Sequence, residues 1–425
     1  MTGRNPRISV IIPTYNRDKL LRGTLRELTR QTLPADEFEV IVSDDGSCDR
    51  TREVVDSFSG QLQMGYHFQE DLGYRAGTAR NEGARLATAP VLCFLDTGSL
   101  AGPDFLRSHL AEHGDDKVHA AVAGYSYGYH PFAEPSKAAE NLLETLTPAE
   151  LVARFGDDPA FIDMRHKHYV RCGFDLSSRA IPWEFFFSCN CSVRTDDFWG
   201  AGGFDEAFTG WGGEDTELAF RLYRRGLTFR ITRDGWVLEA PHERMPMPEL
   251  KKRLKANYDR YVRRTPEPVF EIAVGILDMA LPMYIWDDLF RELNEWSEKV
   301  HGLTAAGEIA EAAGKVPAGG RIAVLGCGAV LPPSMPPAVV MDFDRSLLDQ
   351  ALAVGGHAGH NSIGLRTPLD DRSVDTVIIT SRLSGLWERW HEVLTREAER
   401  IGNQVIRTFL GVIECPSWEE KQRYP

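Results

Sequence analysis

Between residues 7 and 99 the chain alternates short apolar, β-branched runs with amphipathic stretches of helical period. RISVIIP reads as a strand, and Lys19 to Thr32 as a helix whose leucines at 20, 21, 25 and 28 share one face. FEVIVSDDGS is a second strand, Asp49 to Ser59 a second helix, and MGYHFQE a third strand. Gly77 to Ala87 is a third helix and APVLCFLDTGS a fourth strand. This alternation predicts an α/β unit built on a parallel sheet with right-handed crossovers, where ligands gather at the C-terminal strand ends. Asp44-Asp45-Gly46-Ser47 and Asp96-Thr97-Gly98-Ser99 fall at such ends.

From Ser126 to about Pro182 the pattern loosens into a charged, aromatic, partly helical insertion. Order returns at Trp183 with FFFSCNCSV and then GAGGFDEAFTGWGGEDTELAFRLYRRG, a helical face that ends at Gly226. Residues 248–313 read as a helical linker, first basic (KKRLKANYDRYVRR), then acidic and aromatic. A second, smaller Rossmann-like unit opens at RIAVLGCG, so the expected division is 1–247, 248–313 and 314–425.

Composition narrows the class of protein. With 43% hydrophobic and 26% charged residues the chain can bury cores, and a net charge of −14 argues against a nucleic-acid partner. Phosphate ligands stay open, because helix termini and a few arginines can hold a diphosphate on an acidic protein. The cysteines at 48, 93, 172, 189, 191, 327 and 415 form no CxxC pair, so neither a disulfide framework nor a zinc site is expected. The polar lead runs straight into a strand, which predicts no signal peptide. The apolar stretch Val269 to Phe290 is broken by Glu271, Asp278, Pro282, Asp287 and Asp288, so it is no bilayer span. The expected location is the cytoplasm.

Moving a sugar from a nucleotide requires a base pocket, a means of neutralising the departing diphosphate, a grip on the acceptor and a carboxylate to take its proton. Pro13-Thr14-Tyr15-Asn16 and Asp44-Asp45-Gly46-Ser47 close neighbouring strands and can sandwich a nucleobase. Gly73 to Asn81 offers Arg75 and Arg80, and the fourth strand ends in Asp96. The run Trp211-Gly212-Gly213-Glu214-Asp215 supplies tight turns, a flat apolar ring and two acids at a helix start. In this order and spacing the motifs resemble family 2 glycosyltransferases of the GT-A fold, over about residues 7 to 245.

The resemblance implies roles. Pro13, Tyr15, Asp44 and Asp45 would hold uracil and ribose, without deciding which aspartate faces the base. Arg75 and Arg80 would contact the diphosphate, and Asn190 would line the donor sugar. Trp211, Gly213 and Glu214 would meet the acceptor. Asp215 would be the catalytic base of an inverting displacement, with Glu214 second for that role. The family's Asp-x-Asp reads Asp96-Thr97-Gly98 here, so the second acid is missing. His242, in Ala240-Pro241-His242-Glu243, stands where many GT-A enzymes place a metal ligand. Asp96 and His242 are therefore the expected ligands of Mn²⁺ or Mg²⁺. The partners implied are a nucleotide-sugar donor, with UDP as nucleotide, and an unidentified small-molecule, peptide or saccharide acceptor.

The second unit resembles a class I methyltransferase that has lost its site. IAVLGCGAV mirrors the glycine-rich strand end, but Val330 replaces the third glycine. Four prolines among residues 332–337 forbid the helix that should follow. A relic used for packing, acceptor docking or homo-oligomer formation is the reading; in a working site Asp344 would hold the ribose. Two rivals remain, a bifunctional glycosyltransferase–methyltransferase and a non-catalytic nucleotide- or sugar-binding protein.

Overall fold

The structure, a computed structural model, describes residues 5–114, 119–128, 142–143, 145–159, 161–243 and 245–410. The chain folds as two compact units, Met1–Leu254 and Lys255–Pro425.

In the first unit the β/α alternation appears where the apolar periods place it. Strands β1 (Ile8–Thr14), β2 (Phe38–Asp44), β3 (Met64–Phe68) and β4 (Val91–Leu95) alternate with helices α1 (Asp18–Leu28), α2 (Thr51–Phe58) and α3 (Ala76–Leu86). There follow β5 (Ser99–Ala101), α4 (Phe105–His113), β6 (Ala120–Tyr127), α5 (Pro148–Phe155), α6 (His166–Arg171) and β7 (Asn190–Arg194). The unit ends with α7 (Thr195–Gly200), α8 (Glu214–Arg224), β8 (Thr228–Glu239) and α9 (Met247–Arg264), and the unit boundary falls inside α9. The eight-stranded sheet has the order β3-β2-β1-β4-β7-β6-β8-β5. β1 pairs in parallel with both β2 and β4, and β7 runs antiparallel to β4 and β6. The strand order reverses beside β1, so β1 and β4 flank the crevice where an open α/β sheet binds its ligand.

Both faces of the central strands are covered, which is why they read as continuous apolar runs. Ile8, Val10 and Ile12 meet Val40, Val42 and the fully buried Leu21, Leu25 and Leu28 of α1 on one face. On the other, α3 lies so close that a Cβ at Gly83 would sit 2.7 Å from Ile11. Each of the three leucines contributes about 1.5–3 kcal/mol by leaving water.

Part of the insertion is clamped to the sheet by one buried ion pair. Arg165 Nη2 lies 2.6 Å from Asp163 Oδ2, and both side chains are almost fully buried. Asp163 Oδ2 also accepts from Ser126 N–H, while Arg165 donates to the carbonyls of Gly124 and Phe185. Every charge there has partners, the condition under which a buried pair is tolerated.

The second unit carries five parallel strands in the order β11-β10-β9-β12-β13. Its elements are α10 (Pro268–Asp278), α11 (Trp286–Val300), α12 (Ala306–Ala313), β9 (Ile322–Leu325), β10 (Ala338–Asp342), α13 (Arg345–Ala353), β11 (Ala358–Asn361), β12 (Val374–Ile379), α14 (Ser384–Ile401) and β13 (Gly402–Arg407). Three helices of the stretch expected to be a linker are built into this unit. The buried Glu271 of α10 accepts from the backbone N–H groups of Ile363, Gly364, Leu365 and Arg366, and Trp296 of α11 donates to Arg382 O.

No helix follows β9, as the prolines require. The crevice above β9 and β10 holds a side chain of the unit itself. Arg382, fully buried, donates to both oxygens of Asp342 at 2.9 and 3.1 Å and to the carbonyls of Val300 and Leu303. Asp344, the residue expected to hold a ribose, is engaged as a helix cap. It accepts from Ser346 and Leu347 N–H at the start of α13 and from His301 Nδ1 at 2.8 Å. No described helix is long and apolar enough to cross a membrane.

Candidate active site

The polar strand ends of the first unit are tied to one another by short contacts. Asp45 N–H bonds Thr14 O, and Thr97 Oγ1 donates to Pro13 O at 2.9 Å, so the ends of β1, β2 and β4 form one rim. Asp96 N–H bonds Cys189 O, and the adjacent Ser188 N–H reaches Asp215 Oδ2 at 3.3 Å. Ala240 N–H bonds Gly98 O, which brings the segment carrying His242 to the same edge. Residues more than two hundred positions apart thus converge.

At the β1–β2 end, Tyr15 is 46% exposed and its hydroxyl donates to Asp71 at 2.8 Å. Asp45 accepts from Gln69 Nε2 at 2.5 Å and from Arg75 N–H at 2.9 Å, and the Arg75 guanidinium lies 3.8 Å away. Asp44 points inward instead. Its carboxylate accepts from Tyr66 Oη on one oxygen and from Ser47 N–H on the other.

At the acceptor end, Gly213 precedes α8 with φ +91°, a left-handed turn that glycine enters without strain. Glu214 and Asp215 follow in the first helical turn. Burial lifts both carboxyls above the usual range; for Glu214 the charge on Asp215 adds to this, while Arg80 opposes it for both. Glu214 Oε1 takes Arg80 Nη1 at 3.2 Å, and its buried Oε2 has no hydrogen-bond partner. Trp211 is half-buried just before this turn.

Comparison with known proteins gives this geometry its place. Residues 9–175 match the family described as glycosyl transferase family 2, and residues 168–245 the one described as the N-terminal domain of galactosyltransferase. A validoxylamine A glucosyltransferase of Streptomyces hygroscopicus subsp. limoneus is 42% identical over 419 residues, covering 96% of this chain and 92% of its own. The chain belongs to glycosyltransferase family 2. An uncharacterized glycosyltransferase of Bacillus subtilis, YfnE, is 34% identical over 53% of this chain and 62% of its own. A solved mannosyltransferase of Pyrobaculum calidifontis, in complex with GDP-Man and Mn²⁺, covers 64% of this chain and 68% of its own at 20% identity and a TM-score of 0.45.

Two further assignments for this glycosyltransferase change. Asn190 was expected to line the donor sugar, but it is fully buried on the opposite face of β7. It donates to Tyr125 O and Gly235 O at 3.0 Å each, and its Oδ1 accepts from His109 Nε2 at 2.9 Å. Strand side chains alternate faces. Cys189 and Cys191, either side of it, are the ones that feel the charges of Asp96 and Arg80 respectively. Asn190→Ala is therefore expected to lower stability by about 1–3 kcal/mol for each polar group left unpaired, with UDP affinity unchanged. Urea denaturation with a parallel nucleotide titration checks both, and a selective loss of UDP affinity at unchanged stability would reverse the correction.

Arg80 is the second. It is only 3% exposed, with Nη2 on Asp96 at 2.9 Å and Nη1 on Glu214, so its guanidinium bridges two carboxylates of the site instead of standing open to solvent. Tyr74, passed over between Gly73 and Arg75, is 40% exposed as a residue, but desolvation of its hydroxyl end and the charges of Glu214, Asp96 and Asp215 raise its phenol pKa, with Arg80 opposing. Its carbonyl accepts Gly210 N–H, joining the loop to the Trp211 turn. The one sign of it in the sequence was an aromatic residue inside the segment that carries both arginines.

The donor set for a divalent ion is small. No group of three His, Cys, Asp or Glu that could hold a metal forms among the described residues. Asp96 keeps 41% of its side chain exposed, with one oxygen on Arg80. His242 Nδ1 lies 3.0 Å from Ala240 O; a carbonyl only accepts, so Nδ1 donates there, the second contact that orients a metal-binding imidazole. One carboxylate and one imidazole fit an ion whose remaining positions a diphosphate and water would fill.

Proposed function

We propose that this glycosyltransferase moves a hexosyl group, glucose in the first instance, from a uridine diphosphate sugar to a hydroxyl of a small-molecule acceptor of the validoxylamine A kind, with inversion. What carries the reading is the juxtaposition of Glu214, with Asp215 next to it, and Asp96 across a single arginine. The relative that shares 42% of its sequence over nearly the whole chain supplies the sugar and the acceptor class.

In this reading Pro13, Tyr15 and Asp45 bound the pocket for base and ribose, and Arg75 meets the diphosphate. Trp211 offers its ring to the acceptor, Gly213 lets the backbone turn beneath it, and the unpartnered Oε2 of Glu214 accepts a hydrogen bond from an acceptor hydroxyl. Asp215 takes the proton of the attacking hydroxyl as the new C–O bond forms at the anomeric carbon. The bond from that carbon to the diphosphate breaks, and its electron pair leaves with the nucleotide. Asp96 and His242 would hold Mn²⁺ or Mg²⁺, which when bound supplies positive charge beside the leaving diphosphate.

The test is incubation of the full chain with Mn²⁺, validoxylamine A and either UDP-glucose or GDP-glucose. A one-hexose product formed from UDP-glucose, with a β-anomeric coupling in its NMR spectrum, is expected. An α-anomeric product would sink the single displacement, and a product from GDP-glucose alone would sink the uridine assignment.

A further inference from the structure

One guanidinium joins two halves of the site that come from distant parts of the chain. Arg80 reaches Asp96 at 2.9 Å on one side and Glu214 at 3.2 Å on the other. Its guanidinium carbon also lies 5.3 Å from the centre of the Phe204 ring. Phe204 is held by the neighbour of Arg80 in α3, since Asn81 accepts from Phe204 N–H at 2.8 Å and donates to Phe204 O at 2.9 Å. The arginine is thus fixed against an aromatic face with a carboxylate at each end. Asp96 is 41% exposed and opens toward solvent, whereas Glu214 is 8% exposed.

We propose that Arg80 is a positioning residue that couples the donor half of the site, through Asp96, to the acceptor half, through Glu214. The inference rests on the assignment of Asp96 to the donor side and Glu214 to the acceptor side. A forked guanidinium can serve two carboxylates at once, which a lysine ammonium does less well. Each carboxylate therefore competes for the same positive charge. When the charge of Glu214 is removed, Asp96 is, among the described residues, the remaining carboxylate in direct contact with Arg80 and is held more tightly. It is then harder to draw away toward an incoming diphosphate and its ion. Coupling of this kind is reciprocal, so what happens at the donor end is felt at Glu214. A purely structural arginine would change stability and leave the two ends indifferent to each other.

The experiment is a double-mutant cycle read by calorimetric titration of UDP in the presence of Mn²⁺, on the full chain, with no acceptor present. The four proteins are the wild type, Glu214→Gln, Arg80→Met and the double variant, each checked by thermal melting. Glu214→Gln is expected to weaken UDP binding about fivefold or more in the wild-type background, the lower end of ordinary site-to-site coupling. In the Arg80→Met background, where the connecting cation is gone, the same substitution should change it less than about twofold, the scatter within which independent sites act. An equal effect in both backgrounds, or none in the wild type, overturns the proposal. Should Arg80→Met fail to fold, the cycle is run on Arg80→Lys, where the coupling is expected to fall while the charge remains. Absence of any UDP heat in the wild type is a different result: it overturns the donor reading, and the coupling with it.

Discussion

Asp215→Asn is expected to slow glycosyl transfer by about a hundred- to ten-thousandfold, the usual contribution of a positioned general base, while UDP affinity and melting temperature stay near those of the wild type. The expectation follows from how the carboxylate is held. Asp215 sits in the first turn of α8, with Oδ1 on Thr216 N–H and Oδ2 facing Ser188 N–H. An amide of the same size can keep one of these bonds but takes no proton from an attacking hydroxyl. The pH profile supplies a second signature. The base works ionised, and burial raises the Asp215 carboxyl above its ordinary 3.8. Activity must then fall as the pH drops through a value higher than 3.8, and recover above it. Glu214, also raised by burial, faces the same arginine, so the limb belongs to the pair rather than to one residue. Measurement of kcat/KM against pH decides the matter. An acid limb at or below 3.8, or an asparagine variant with more than about a tenth of wild-type activity, would remove Asp215 from the role of base.

The parts of this site that could be read from the sequence are those encoded locally. The β-branched runs marked β1, β2 and β4 because both their faces are buried, and the polar residues that interrupt each run necessarily lie at the strand ends. The glycines before Glu214 announced a tight turn into a helix. Residues whose role depends on a partner elsewhere could not be read this way. Arg80 was legible as a cation near the donor strands, but its commitment to Glu214 depends on a contact between residues 134 positions apart. Asp44 and Asp45 are adjacent and alike, and only the presence of Tyr66 on β3 shows that the first turns inward. Asn190 was misplaced by a single residue of strand parity. One step along β7 moves a side chain from the site to the face packed by His109.

A large loss of stability is expected in the second unit. Arg382→Met should destabilise it by about 3–5 kcal/mol, the cost of leaving one member of a buried ion pair without its partner. Asp342 is fully buried, and among the described residues its carboxylate accepts, besides both guanidinium contacts, the N–H groups of Gly328 and Asp344. Without the arginine its charge stays behind in a buried site, and the carbonyls of Val300 and Leu303 each lose one guanidinium donor. The glycine turn after β9 is shaped around the same side chain: a Cβ at Gly328 would sit 3.3 Å from Arg382 Cδ, and one at Gly326 3.2 Å from its Cβ. Arg382 and Asp342 therefore meet in the strand-end crevice as a fully buried ion pair. Addition of Asp342→Asn to Arg382→Met is expected to restore part of the loss, because the amide removes the stranded charge while still accepting one of the N–H bonds. Urea titrations followed by circular dichroism would measure all three proteins. If Arg382→Met costs less than about 1 kcal/mol, or the second substitution deepens the loss instead of relieving it, the pair is not what closes this crevice.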